Sequence, residues 1–127
     1  MKYLGIDYGS KRIGVAVSDE KGSIAFPRVA VQNDGGALER IADIAKAEGV
    51  TNLVIGDTRA FSGAENRITP EAESFARELA ALTGIEVEAS WEAWSSREAS
   101  RFAPKDVKND SAAAAIILQR FLDMRKS

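Results

Sequence analysis

Cysteine and histidine are both absent from this chain of 127 residues. Without cysteine there is no disulfide bond, thiol nucleophile or cysteine-ligated zinc site. Without histidine there is no Ser-His triad and no general base whose ordinary pKa lies near neutral pH. Any catalysis must therefore depend on carboxylates, lysine, hydroxyl groups or hard cations.

Long apolar runs and a strong excess of charge are missing as well. The sequence has no stretch of membrane length and no signal-peptide pattern, so we expect a cytosolic protein. Lysine and arginine number 17 against 19 aspartate and glutamate residues, which gives a net charge of −2. A nucleic-acid enzyme of this charge would need a local basic patch or metal ions. Since no repeat or linker interrupts the chain, we predict one domain over residues 1–127.

Hydrophobic periodicity predicts an α/β fold. Strands are predicted at 3–7, 12–18, 23–32, 51–57 and 85–89. Helices are predicted at about 37–48, 70–83, 95–103 and 110–124. Pro27 assigns the third strand to a sheet edge or implies a bulge. The order βββαβαβαα favours a mixed sheet flanked by helices, with three antiparallel N-terminal strands followed by parallel ones.

Acidic residues recur where these strands end and where the last helix begins. They are Asp7, Asp57, Glu92 and Asp110. In open α/β sheets, functional sites form beyond the carboxyl ends of the strands. A charge at the end of an apolar strand must be solvated, paired or bound to a cation, because desolvating it alone is costly. We therefore interpret Asp7 as the first ligand of a metal site.

Asp110 gives the strongest indication of a site on geometry alone. As a first-turn acid it would stabilise the helix dipole by about 0.3–1 kcal/mol, and an exposed position would be sufficient for that. Helical spacing instead places it on the face that must pack against the sheet. The other residues of that face are Ala114, Ile117, Leu118 and Phe121.

The other acids also have structural interpretations. Asp7 would cap the amides of the following turn equally well. Taken alone, Glu92 is better explained as a solvated strand-end residue and Asp57 as a turn residue, and Asp19 is assigned to a hairpin turn. Taken together, carboxylates in one cleft repel one another unless a cation neutralises them. We therefore predict one or two Mg²⁺ or Mn²⁺ ions, since such ions promote phosphodiester hydrolysis without histidine or cysteine.

Two groups of basic residues accompany these acids. One group precedes Asp110 at intervals of three or four residues and consists of Arg97, Arg101, Lys105 and Lys108. The other group, Lys11 and Arg12, lies in the first predicted turn. A solvated surface explains the first group equally well. The functional interpretation is that both groups bind nucleic-acid phosphates beside the acidic cleft.

The segment from Gly5 to Asp19, GIDYGSKRIGVAVSD, closely resembles the YqgF (RuvX) family. Residues 92–99 (EAWSSREA) and 109–114 (NDSAAA) resemble two further family segments. The resemblance implies an RNase H-like fold with Asp7, Glu92 and Asp110 as catalytic metal ligands, and Asp57 is a further candidate ligand. The chain departs from the family pattern on both sides of Glu92, where Trp91 and Ala93 replace Asp and Arg.

Members of that family are described as Holliday junction resolvase-like proteins or as nucleases that trim precursor 16S rRNA. The resemblance implies a metal-dependent nuclease of structured RNA, monomeric or homodimeric, with precursor rRNA and ribosomal particles as partners and no membrane partner. Cleavage of branched DNA is the alternative in the same class and requires a dimer. A non-catalytic RNA-binding assembly factor and an ATP-binding module also stay open, since residues 7–10 resemble an actin-like phosphate loop.

Overall fold

The computed structural model describes residues 1–56, 70–89 and 110–125. The strands are β1 (Tyr3–Asp7), β2 (Arg12–Ser18), β3 (Ala25–Gln32), β4 (Asn52–Gly56) and β5 (Val87–Ala89). The helices of these ranges are α1 (Ala37–Glu48), α2 (Pro70–Thr83) and α3 (Asp110–Arg125). The strands form one sheet in the order β3-β2-β1-β4-β5, which makes β1 the central strand.

The sheet is mixed, as predicted. β2 pairs antiparallel with both β1 and β3, whereas β4 pairs parallel with both β1 and β5. β3 is an edge strand, and its register shifts where Val15 pairs with Val29 but Ala16 pairs with Pro27. Both alternatives offered for Pro27 are therefore confirmed, because a proline without an N–H group fits an edge strand and a bulge.

Side-chain alternation along the strands divides the core between the two faces of the sheet. Leu4 and Ile6 of β1 lie on the face that α1 and α2 cover. Tyr3 lies on the opposite face, where it packs with residues of the sheet and of α3. This second cluster contains Tyr3, Ala16, Val54, Ala114, Leu118 and Leu122. The sheet therefore lies between two helical layers, and α3 alone forms one of them in the described part of the chain.

The apolar stripes of the helices agree closely with the sequence. On α2, the four predicted residues are all buried: Ala72, Phe75, Ala76 and Leu79. On α3, Ala114, Ile117 and Leu118 are buried as expected. Phe121 differs, because it is only half-buried and its ring lies 5.9 Å from that of Tyr3. Leu122 is the buried residue of that turn.

Three strands begin later than predicted: β4 by one residue, and β3 and β5 by two residues each. In β3 and β5 the reason is that nearby side chains take up backbone N–H groups. The Asp19 carboxylate accepts hydrogen bonds from the N–H groups of Ser23 and Ile24, so these residues belong to the turn before β3. This also confirms the turn assignment of Asp19. The N–H of Ile85 donates to the hydroxyl of Thr83, and β5 begins only at Val87. The helix predicted at 95–103 lies outside the described residues.

None of the helices in the described ranges is both long enough and apolar enough to cross a membrane.

Candidate active site

Asp7 is the last residue of the central strand, and its side chain is only 6% exposed. Alternation along β1 places Asp7 on the same face as Tyr3 and Gly5, which is the face that α3 covers. A carboxylate buried at this level is costly unless a partner compensates it. Its position at the carboxyl end of a central strand is the one that the sequence predicted for the site.

Glycines flank Asp7 on both neighbouring strands. It pairs with Gly14 of β2 on one side and with Gly56 of β4 on the other. Because glycine has no side chain, neither neighbouring strand places a group beside the carboxylate at this level. The strands on either side of Asp7 therefore present no side chain at this level, and a ligand can approach the carboxylate without displacing side chains of β2 or β4.

The path of α3 across the sheet brings its first turn toward Asp7. A Cβ on Gly5 would lie 2.7 Å from the Cβ of Leu118 and 3.3 Å from the carbonyl oxygen of Ala114. Tyr3, nearer the start of β1, instead contacts Phe121 at 5.9 Å between ring centroids. The helix therefore runs antiparallel to β1.

This register carries the first turn of α3 toward the end of β1 at which Asp7 lies. From Gly5 to Asp7 the strand advances by about 6–7 Å. From Ala114 back to Asp110 the helix advances by about 6 Å in the same direction. The two positions that were predicted from separate parts of the sequence thus lie at the same end of the α3–β1 contact. Asp110 is placed here by its backbone alone.

The other predicted site residues lie outside the described residues. They are Asp57, Glu92, Arg97, Arg101, Lys105 and Lys108. Asp57 immediately follows Gly56, and Glu92 comes three residues after the end of β5. Since β4 and β5 are parallel to β1, their carboxyl ends lie at the same edge of the sheet as Asp7. Within residues 1–56, 70–89 and 110–125 alone, no three acidic side chains form a group that could hold a metal ion. The grouping of Asp7, Glu92 and Asp110 therefore stays a prediction.

Lys11 and Arg12 are exposed at the same edge. Lys11 is the last residue of the turn of residues 8–11 that joins β1 to β2, and Arg12 is the first residue of β2. Arg12 pairs with Gln32, the last residue of β3. Both basic residues therefore lie close to the end of β1, as their place in the sequence suggested.

At the same end of the strands, the other face of the sheet, which α1 and α2 cover, is acidic. A cavity of about 580 Å³ lies there beside Tyr8 and Phe75, whose ring centroids are 5.4 Å apart. Its lining includes the exposed residues Asp34, Glu71 and Glu78. The hydrogen bond from Arg40 lowers the pKa of Asp34 and also offsets the charge of this carboxylate, so the negative charge of this side comes from Glu71 and Glu78. The charge of this side disfavours a phosphate backbone.

Sequence reasoning missed one polar residue that acts at this edge. The side-chain amide of Asn33 donates to the carbonyl oxygen of Gly9 at 2.8 Å. The backbone N–H of Asn33 donates to the carbonyl oxygen of Lys11, also at 2.8 Å. The sequence pattern placed Asn33 only in the connection between the strand predicted at 23–32 and the helix predicted at 37–48. The available signal was an asparagine directly after a strand, since its short amide commonly bonds to a neighbouring turn.

The central sheet, its covering helices and the acid at the end of β1 define an RNase H-like protein. Solved structures with this fold include RuvC of Thermus thermophilus, with a TM-score of 0.60 and 16% identity over 99% of this chain and 96% of that one. The same protein in complex with a Holliday junction substrate gives a TM-score of 0.57 and 15% identity, covering 100% and 97% of the two chains.

Residues 1–124 match the family model described as "RuvX: Holliday junction resolvase", and the chain belongs to this family. A relative from Leifsonia xyli subsp. xyli is 37% identical over 134 residues, which cover 98% of this chain and 86% of the relative. A relative from Chlorobium luteolum is 36% identical over 133 residues, covering 96% and 94%. Both are named "Putative pre-16S rRNA nuclease". The predicted family, fold and enzyme class, a nuclease, are confirmed.

Proposed function

We propose that this protein is a divalent-metal-dependent nuclease of structured RNA that processes the 5′ end of precursor 16S rRNA. The names of its relatives support precursor 16S rRNA as the substrate. Ribosomal particles are proposed as partners because they carry that RNA. The observation that carries the catalytic site is the buried carboxylate of Asp7, which faces α3 from the end of the central strand. Because the family model spans residues 1–124, the chain is proposed to form one nuclease domain. Precursor rRNA as the substrate implies a cytoplasmic location.

Asp7, Glu92 and Asp110 are the proposed ligands of Mg²⁺ or Mn²⁺, with Asp57 as a further candidate. The chemistry of the donor set fits these ions, because they prefer carboxylate oxygens and retain several waters. The register of α3 on β1 supports the pairing of Asp7 with Asp110, and the parallel strands support the addition of Glu92. When bound, such an ion neutralises charge at the scissile phosphate and acidifies the attacking water.

Lys11 and Arg12 are the proposed phosphate contacts beside this site. They are exposed next to the end of β1, whereas Glu71 and Glu78 would repel phosphate on the α1–α2 side. The nucleic acid is therefore proposed to cross the edge of the sheet on the α3 side. A second set of contacts, proposed from the sequence alone, consists of Arg97, Arg101, Lys105 and Lys108.

The test is cleavage of a labelled RNA that joins the precursor 5′ extension to mature 16S sequence, with Mg²⁺, Mn²⁺ or EDTA. Asp7→Asn is expected to lower kcat by on the order of 10²–10³-fold, because it removes a charged ligand worth several kcal/mol. Asp43→Asn is the matched control, since Asp43 is an exposed acid of α1. If Asp7→Asn cleaves as fast as the wild-type protein, Asp7 is not the metal ligand.

The description of the family model favours a second candidate, a resolvase of branched DNA. A junction is cut symmetrically only when two active sites face two strands, so this function requires a homodimer. The same assay with a four-way DNA junction, together with the mass of the protein in solution, distinguishes the two candidates. A dimer that cuts the junction and leaves the RNA intact would replace the RNA substrate proposed here.

A further inference from the structure

The turn of residues 8–11 holds the first basic pair beside Asp7, and it is a tight turn. The N–H of Tyr8 donates to the carbonyl oxygen of Gly56 at 2.9 Å, which ties the start of the turn to β4. A Cβ built on Gly9 would collide with the carbonyl oxygen of Arg12. The turn therefore closes on itself so tightly that only glycine fits at position 9.

Asn33 closes this turn from the end of β3. Its side-chain amide donates to the Gly9 carbonyl oxygen at 2.8 Å. Its backbone N–H donates to the Lys11 carbonyl oxygen, also at 2.8 Å. One half-buried residue thus holds two of the four turn residues at once. Two backbone carbonyl groups of the turn are thereby held by the residue that follows β3.

Asn33 is itself anchored to α1. The Arg40 guanidinium donates to the Gln32 carbonyl oxygen at 2.9 Å and to the Asp34 carboxylate at 2.6 Å. The same carboxylate accepts a hydrogen bond from the N–H of Gly36 at 2.9 Å. The residues on either side of Asn33 are therefore held in place, which restricts the positions that the Asn33 amide can take relative to the turn.

We propose that Asn33 is a positioning residue that holds the turn of residues 8–11 so that Lys11 and Arg12 meet the nucleic-acid backbone beside Asp7. This inference rests on the proposed function. An unrestrained turn would lose conformational freedom when nucleic acid binds, and that loss weakens affinity. Asn33 removes this cost in advance, because the turn is already ordered in the free protein. It acts on binding and not on the chemical step.

The test compares Asn33→Ala with Asn52→Ala. Asn52 is a half-buried asparagine at the start of β4, at the opposite end of the sheet. The probe is a fluorescein-labelled RNA hairpin with a single-stranded 5′ extension, titrated at several salt concentrations. Losing one hydrogen bond is expected to weaken binding by about 3- to 10-fold in Asn33→Ala. The slope of log K against log salt is expected to fall by about 0.7 for each phosphate that Lys11 or Arg12 no longer reaches.

Two further measurements and one further variant separate positioning from a general loss of structure. In cleavage assays, Asn33→Ala is expected to raise KM with kcat retained, whereas Asn52→Ala changes neither. In a Lys11→Gln/Arg12→Gln background, Asn33→Ala should not weaken binding further, because the two positive charges through which Asn33 acts have been removed. If Asn33→Ala does not fold, Asn33→Ser replaces it in the same comparisons, because a serine hydroxyl is polar but too short to reach the Gly9 carbonyl oxygen as the amide does.

The outcomes that overturn the inference are distinct from those that overturn the proposed function. Unchanged binding and salt slope in Asn33→Ala, a loss that persists in the Lys11→Gln/Arg12→Gln background, or a fall in kcat alone would each overturn the role of Asn33. Wild-type protein that binds the hairpin without cleaving RNA would overturn the nuclease function, and the binding comparison would still decide Asn33. Wild-type protein that does not bind the hairpin would overturn both.

Discussion

Gly5 of β1 lies directly beneath Leu118 of α3, so that a Cβ on Gly5 would be 2.7 Å from the Cβ of Leu118. Carbon atoms do not pack at that distance, and any side chain at position 5 must move the helix away from the strand. Asp7 lies two residues along the same strand, and Asp110 begins the same helix. The spacing between the two proposed ligands therefore depends on a glycine that is not itself part of the site.

Gly5→Ala is expected to lower both stability and cleavage. Overpacking of this kind costs about 1–3 kcal/mol in the free energy of unfolding, which urea denaturation measures. Cleavage should fall further than stability alone explains, since a displaced α3 separates Asp110 from Asp7. Gly35→Ala is the matched control, because a Cβ on Gly35 has nothing within 4 Å. A folded Gly5→Ala protein with full activity would show that the spacing of α3 from β1 is not critical.

Metal binding is expected to stabilise the folded protein through Asp7 and Asp110. A ligand that binds only the folded state raises the free energy of unfolding by about 2.7 kcal/mol at one hundred times its Kd. Mn²⁺ should therefore raise the Tm of the wild-type protein, and EDTA should reverse the rise. In Asp7→Asn and in Asp110→Asn the rise should be largely lost.

Asp43→Asn again supplies the control, because it removes one negative charge from the exposed surface of α1. Its Mn²⁺-dependent rise in Tm should equal that of the wild-type protein. An equal rise in all four proteins would mean that the ion binds elsewhere, and the proposed ligand set would be wrong.

Charge at positions 11 and 12 is expected to determine how RNA binding depends on salt. Lys11→Gln and Arg12→Gln should each reduce the slope of log K against log salt by about 0.7, since each removes one cation that faces a phosphate. Lys46→Gln removes an exposed positive charge from α1 and should leave the slope unchanged. Equal slopes for Lys11→Gln, Arg12→Gln and Lys46→Gln would contradict the proposed path of the nucleic acid across the α3 side.

Periodicity predicted most of the fold because it reports directly on which side of an element is buried. The bounds of β1, β2, α1 and α2 agree with the sequence, and Pro27 gave both the edge strand and its bulge. β3 and β5 were predicted two residues too long because a nearby side chain takes up an N–H group before each strand. Such local competition has no periodic signature, so a pattern of apolar residues does not detect it.

The site was less accessible to sequence reasoning, because its parts meet only through tertiary contacts. Asp7 could be chosen since a charge at the end of an apolar strand is unusual. The close approach of Leu118 to Gly5 could not be read from the sequence, because a glycine in a strand is equally typical of a bulge. Asn33 was missed because its contact with Gly9 forms only in the tertiary structure, between residues that lie 24 positions apart in the chain.

The last prediction concerns Glu48, which joins the end of α1 to the sheet. Its carboxylate accepts hydrogen bonds from Arg28 at 2.9 Å and from Lys2 at 3.2 Å. The hydrogen bond from Arg28, followed by that from Lys2, lowers the pKa of Glu48 below its usual value. A carboxyl group whose pKa is lower in the folded state stabilises the fold above its unfolded pKa, about 4.3 for glutamate. This contribution is lost as the pH falls through the lower, folded-state value.

Glu48→Gln is therefore expected to lower the free energy of unfolding by about 1 kcal/mol at pH 7, because both ion pairs lie at the surface. The difference from the wild-type protein should begin to shrink as the pH falls below about 4.3, where Glu48 of the unfolded chain takes up a proton. It should be lost once the pH has fallen through the lower pKa of the folded state. Glu78→Gln, which removes an exposed carboxylate of α2, should leave the free energy of unfolding close to the wild-type value both at pH 7 and at acidic pH. A Glu48→Gln deficit that stayed constant down to a pH of about 3, well below the usual glutamate pKa, would mean that the side chain acts by packing and not by charge.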